Sequence, residues 1–308
     1  MPINYGQLQI DFVCIGFPKC GTTSLYSVLR QHPQIMLAKG KETSFFDWCR
    51  QFAYPLEILQ NQFFDAIEMD KRRYGLIESE FFKNAVDIAY YFGNDVKLIF
   101  MLRDPVERLY SAFKMRLRQG CGNIMRLYRR HQNLSTSQLF KVYCNEFIVN
   151  KNRDYCEEFE NGDYIKWLRE FAEIFPMDKI QIIFLEEYHQ NTDGVINQIK
   201  CFLNVEEKRL RTRIVENEGN TVSKNYYCAR LNGVFNEYYK KHNGYFVRYP
   251  RCGEWWIDRR NRVYAHTLKP EKERMDSETR HLCEQYYRES KHGLERFMDR
   301  SLNDIWFN

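Results

Sequence analysis

A lysine, a glycine and three consecutive hydroxyl residues stand together in Gly16-Phe17-Pro18-Lys19-Cys20-Gly21-Thr22-Thr23-Ser24. Their types and spacing suit the capture of a phosphate. Lys19 brings a mobile positive charge, and Thr22, Thr23 and Ser24 bring hydroxyl donors. The preceding residues 10–15 are mostly apolar and predict a buried strand; residues 25–29 have the apolar spacing of a helix. A strand entering a helix through such a loop aims the free N–H groups of the first helical turn at an anion. Gly16 and Gly21 are expected to let the backbone turn tightly against it. The loop departs from the triphosphate signature G-x-x-x-x-G-K-[ST]: Thr22 follows the second glycine, and the lysine lies two residues before it. A lysine there suits a bridging oxygen on a 5'-phosphate. No clear strand ends in an aspartate that would hold Mg²⁺.

Two further segments carry chemistry. Residues 96–102 predict a strand that runs straight into Arg103-Asp104-Pro105, with Ser111 further on. Asp104 suits a helix N-cap and Pro105 the first helical turn. Arg103 offers a fork to a phosphate, and Ser111, about two turns into the helix, offers a second donor. The other segment is Lys39-Gly40-Lys41-Glu42-Thr43-Ser44-Phe45-Phe46-Asp47-Trp48. Glu42 is a carboxylate preceded by two lysines and followed by an aromatic run. Phe45, Phe46 and Trp48 fit either an acceptor platform or core packing. Glu78, Ser79 and Glu80 form a weaker cluster, in which Glu80 is a competing base.

These segments resemble sulfotransferases that use 3'-phosphoadenosine-5'-phosphosulfate (PAPS), closest in motif to the heparan-sulfate and other carbohydrate-type enzymes. The Lys19-x-Gly21-Thr22 core matches that family's 5'-phosphosulfate loop. Arg103 and Ser111, eight residues apart, match its 3'-phosphate motif. Glu42, three residues before Phe45-Phe46 and followed by Asp47-Trp48, takes the place of the general base. The resemblance implies an α/β fold: a three-layer, P-loop-like arrangement of a central parallel sheet flanked by helices. It implies PAPS as co-substrate, 3'-phosphoadenosine-5'-phosphate (PAP) as product, and no metal. The nucleotide contacts it implies are Lys19, Cys20, Gly21, Thr22, Thr23, Ser24, Arg103 and Ser111. Lys224 and Tyr227 join them, from the region where the family closes a basic, aromatic loop. Ser79 is an implied sulfate contact, although the family's adjoining lysine and proline are absent. The expected acceptor is a glycan hydroxyl. Alternatives are a sterol or other lipid alcohol and, in another class, a P-loop metabolite kinase using ATP and Mg²⁺. The Lys-Thr-His context of the steroid and phenol enzymes is missing.

A chain of 308 residues with 44% apolar content can bury a full α/β core. A single domain over residues 1–308 is expected, with a helical insertion at about 119–161 and a helical C-terminal part at about 228–308. Helices are predicted at 164–172, 195–202 and 271–298, and a strand at 179–185. With 46 basic and 41 acidic residues, the net charge of +5 argues for neither nucleic acid nor membrane as a partner. Arg116, Arg118, Arg126, Arg129 and Arg130, and separately Arg209, Arg211 and Arg213, are local clusters. Each fits a solvated face better than a groove for an anionic glycan. The ten cysteines include no C-x-x-C pair, which suits reduced thiols. No leader or membrane span is evident at the N-terminus. A cytoplasmic, bacterial-type enzyme is expected, the alternative being a trimmed luminal domain of a Golgi enzyme.

Overall fold

The computed structural model describes residues 8–64, 73–212 and 221–306. The strands are β1 (Phe12–Gly16), β2 (Ile35–Leu37), β3 (Arg73–Glu78), β4 (Lys97–Leu102), β5 (Ile180–Phe184), β6 (Thr221–Ser223) and β7 (Leu268–Pro270). Helices α1 (Thr22–Leu29), α2 (Phe45–Trp48), α3 (Pro55–Phe63) and α4 (Ala85–Phe92) fall before β4. After it come α5 (Pro105–Gln119), α6 (Ile124–Arg130), α7 (Thr136–Cys144) and α8 (Glu157–Glu160). Then follow α9 (Tyr164–Ala172), α10 (Leu185–Gln190) and α11 (Thr192–Leu203). The last are α12 (Tyr226–Lys241), α13 (Asn243–Arg248), α14 (Pro250–Thr267) and α15 (Ser277–Met298). Two compact units result, one from residues 1–103 and 165–216, the other from 104–164 and 217–308.

The first unit holds a five-stranded sheet in the order β2-β3-β1-β4-β5, every pairing parallel. A parallel sheet covered on both faces needs strands that are apolar on both sides. β1 and β4 meet that demand: all five residues of β1 are buried, and so are five of the six in β4. The expected strands at 10–15, 96–102 and 179–185 are therefore present, with ends moved by one or two residues. β2 and β3 were not foreseen. β3 is broken by Gly75 and ends in Glu78, which hides its strand character. Gly75 is a packing requirement: a Cβ there would lie 2.2 Å from the ring of Phe12, its partner on β1.

The second unit is mostly helical, with β6 and β7 as a short antiparallel pair. Asp104 caps α5, accepting from the N–H groups of Val106 at 2.8 Å and Glu107 at 3.3 Å. Gly120 ends the helix with φ 67°, where a Cβ would sit 1.6 Å from the carbonyl oxygen of Ala229 on α12. The core joins α5, α7, α8 and α15 through Leu109, Phe113, Phe140, Phe159 and Tyr287. Residues 119–161 carry α6, α7 and α8. No described helix is long and apolar enough to cross a membrane.

Candidate active site

The loop from β1 into α1 is built as its sequence suggests, with one change of reason. Gly21 has φ 88° and stands at the N-cap of α1, where the absence of a side chain leaves the helix mouth open. No acidic residue occupies the first turn to compete for an anion. Gly16 serves packing instead of a tight turn, since a Cβ there would meet the Thr22 methyl at 1.9 Å. Lys19 adopts φ 79°, a left-handed conformation that costs a non-glycine residue energy and clusters at functional sites. Phe17 stacks on Phe82 at 4.6 Å, and Trp167 meets Phe82 edge-on at 5.1 Å, so an aromatic wall backs the loop. Cys20 is fully buried and its N–H donates to the Phe17 carbonyl at 3.1 Å; it shapes the loop. Thr23 and Ser24 are half-buried, and the Ser24 hydroxyl lies 3.4 Å from that of Tyr188.

Arg103 reaches this loop from the end of β4. Its Nη1 donates to the Lys19 carbonyl at 3.3 Å. β1 and β4 are neighbours, and the chain turns to opposite sides of the sheet from them: β3 and β2 on one side, β5 on the other. The carboxyl ends of strands at such a reversal are where open α/β sheets bind their ligands. His189, on α10, was not foreseen as a neighbour of this corner. Partial desolvation and then the Arg103 charge hold its imidazole below its ordinary pKa.

Glu42 stands over the adjacent strand β3, on a loop pinned at many points. The Tyr26 hydroxyl donates to the Ala38 carbonyl at 3.0 Å and accepts from the Gly40 N–H at 3.1 Å. The Glu42 N–H donates to the Ile77 carbonyl at 3.3 Å. Its carboxylate accepts from the Ser79 N–H at 2.9 Å and pairs with Lys41. Glu42 and Ser44 both have left-handed backbones, φ 66° and 52°. What holds that strain is Glu78, only 1% exposed. Its carboxylate accepts from the Thr43 N–H at 2.6 Å, the Thr43 hydroxyl and the Ser44 N–H at 3.4 Å. Burial, and then the Glu42 charge, push the Glu78 carboxyl up to about 8 despite those bonds. Glu78 is thus a positioning residue beneath the candidate base. The sequence offered Glu78 as part of a weaker cluster with Ser79 and Glu80, and gave no sign of its support of the Glu42 loop.

The aromatic platform is corrected by packing. Phe45 and Trp48 are completely buried, in contact with each other at 5.1 Å; Phe45 also meets Phe92 at 5.5 Å, and Trp48 meets Phe63 at 6.1 Å. They present no face to an acceptor. Trp48 acts on the loop instead, its indole N–H donating to the Thr43 carbonyl at 2.8 Å. Phe46 is half-buried against Phe81.

The remaining expected residues belong to the second unit. Ser111 is half-buried on α5, and Lys224 and Tyr227 are exposed around the start of α12. Two of the clustered arginines are already engaged. Arg116 pairs with Glu158 at 2.6 Å and Glu157 at 3.1 Å, and Arg126 with Asp154 at 3.2 Å. Arg213 lies outside the described residues. Among the described residues, no group of three or more His, Cys, Asp and Glu could hold a metal ion.

Residues 9–295 match the family model described as the sulfotransferase domain. Carbohydrate sulfotransferase 15 of Mus musculus is 26% identical over 248 residues, covering 63% of this chain and 43% of that protein. The Homo sapiens protein of the same name is 25% identical over a stretch of the same length. This chain thus spans less than half the length of the curated relatives it matches. In fold, a sulfotransferase from Alicyclobacillus acidocaldarius superposes with a TM-score of 0.59 at 19% identity, covering 97% of this chain and 99% of its own. The family match extends over the phosphate loop, the Glu42 loop and the strand that delivers Arg103, and the chain belongs to the family of PAPS-dependent sulfotransferases, close to the carbohydrate-type members.

Proposed function

We propose that this protein moves the sulfuryl group of PAPS to a hydroxyl of a carbohydrate acceptor. The observation that carries the reading is the meeting of Lys19 and Arg103 at the reversal between β1 and β4, with Glu42 held on a loop over the neighbouring strand β3. In this reading the N-terminus of α1 with Thr22 and Thr23 holds the 5'-phosphate, and Arg103 with Ser111 holds the 3'-phosphate. The family resemblance assigns Lys224 and Tyr227 to the nucleotide and Ser79 to the sulfate. Glu42 takes the acceptor proton as the oxygen attacks sulfur. The new S–O bond forms as the bond from sulfur to the bridging oxygen breaks, and PAP leaves with the electron pair. Lys19 offsets the charge that grows on that oxygen. No step calls for a metal ion. Family membership sets the kinase alternative aside. The carbohydrate acceptor rests on the matched relatives and on the Glu42 motif.

The nucleotide assignment has a direct test. Arg103→Ala should weaken PAP by about 10–100-fold, the loss of one charge-assisted contact, and barely change adenosine 5'-phosphate. Titration calorimetry with both nucleotides measures this. Equal losses would remove Arg103 from the 3'-phosphate. The acceptor is tested by incubating the enzyme with radiolabelled PAPS and separate polysaccharide and sterol pools. Label should enter the polysaccharide; label in the sterol alone would overturn the carbohydrate assignment and leave sulfuryl transfer standing.

A further inference from the structure

One stretch of the second unit combines positive charge with exposed rings. Residues 240–262 hold seven lysines and arginines against two acidic residues. This stretch covers the end of α12, all of α13 and most of α14. The same elements expose Tyr238 (44%), Tyr245 (52%), Tyr249 (46%) and Trp255 (56%). The rings form a connected cluster. Tyr238 lies 4.4 Å from Trp256, which touches Trp255 at 6.0 Å; Phe246 links Tyr238 to Tyr245, and Tyr245 meets Tyr249 at 4.8 Å. Exposed Leu231 and Val234 extend the stripe along α12, seven and four residues before Tyr238. Arg259 lies over Trp255 at 5.1 Å, and Arg248 over Tyr249 at 5.9 Å.

An extended apolar surface rimmed by charge marks an interaction site. We infer that the α12–α14 face docks on an anionic lipid surface. Tyrosine and tryptophan favour the headgroup level of a bilayer, and arginines beside them reach lipid phosphates. Leu231 and Val234 gain from the acyl boundary and would gain nothing from a sugar. A guanidinium already covers one face of Trp255 and of Tyr249, and ring faces are what a pyranose stacks upon. Of the two acidic residues, Asp258 is paired with Arg262 at 2.6 Å. Such a face lies on a membrane without spanning it. The inference concerns binding alone and is independent of the acceptor.

Vesicle flotation of the full chain tests it. Binding to phosphatidylcholine vesicles containing phosphatidylserine should be roughly 100-fold tighter than to phosphatidylcholine alone, and should fall as salt rises. The triple variant Tyr245→Ser, Tyr249→Ser, Trp255→Ser should lose about tenfold or more of vesicle binding and keep its binding to dextran sulfate, a polyanion without a bilayer. Reversal at Arg251→Glu and Arg259→Glu should weaken both. All are exposed positions; circular dichroism and PAP binding verify the fold, and Trp255→Ser alone serves if the triple variant misfolds. Equal binding to both vesicle types overturns the inference. So does vesicle binding indifferent to the aromatic changes, which would mark a plain polyanion site. Dimers that the same changes dissolve would assign the face to a second copy.

Discussion

Replacing Glu42 with glutamine is expected to lower turnover by about 10²–10⁴-fold, the range for a positioned acid–base group, while PAP affinity holds. Glutamine keeps the length of the side chain and can still accept from the Ser79 N–H, so the loop should stay in place. What it loses is the capacity to take the acceptor's proton. Saturating kinetics together with PAP titration separate that loss from damage to the nucleotide site. Near-normal turnover would sink the assignment. The role would then pass to exposed Glu80, because the Glu78 carboxylate is buried and already accepts three hydrogen bonds.

Removing Glu158 is expected to have the largest effect on stability. Its carboxylate meets Arg108 at 3.2 Å and Arg116 at 2.6 Å, and Arg108 is fully buried. Glu158→Ala strands a buried guanidinium and should cost about 3–5 kcal/mol. Burial alone would raise the Glu158 pKa, but Arg116 and then Arg108 hold it below the ordinary value. A folded-state pKa below the unfolded one gives stability that is present above the unfolded pKa of roughly 4.3 and lost as pH falls through the folded value. Urea unfolding as a function of pH should therefore show the variant and the parent converging in acid. A constant gap at all pH values would mean that packing, not the ion pair, carries the effect.

The two strand-to-helix turns of the candidate nucleotide site were legible because their physics is local. A strand apolar on both faces, a glycine at an N-cap and an Asp-Pro helix start are each decided within a few residues. β3 was not legible, because its fitness depends on Phe12 filling the space above Gly75, sixty-odd residues away in the chain. The place of Glu42 came from resemblance; its support by Glu78, Tyr26 and Trp48 needed three dimensions. Phe45 and Trp48 illustrate the limit from the other side: an aromatic triplet beside a base has the same sequence whether it faces a sugar or a core. The basic face on α12–α14 was not legible because its charges and rings are spread over three helices, whereas the arginine clusters that the sequence displays are dense runs elsewhere.

The interleaving of the two units bears on how the chain is made. β5 covers the outer edge of β4, yet residues 103–179 separate them. At about 5–20 residues per second, a ribosome takes roughly 4–15 s to deliver β5 after β4 has emerged. During that time a nearly all-apolar strand has an open edge, ready to pair with another nascent chain. Slower initiation, which spaces ribosomes apart, or a chaperone that masks β4 should raise the yield of folded protein more than any gain in the stability of the finished sheet.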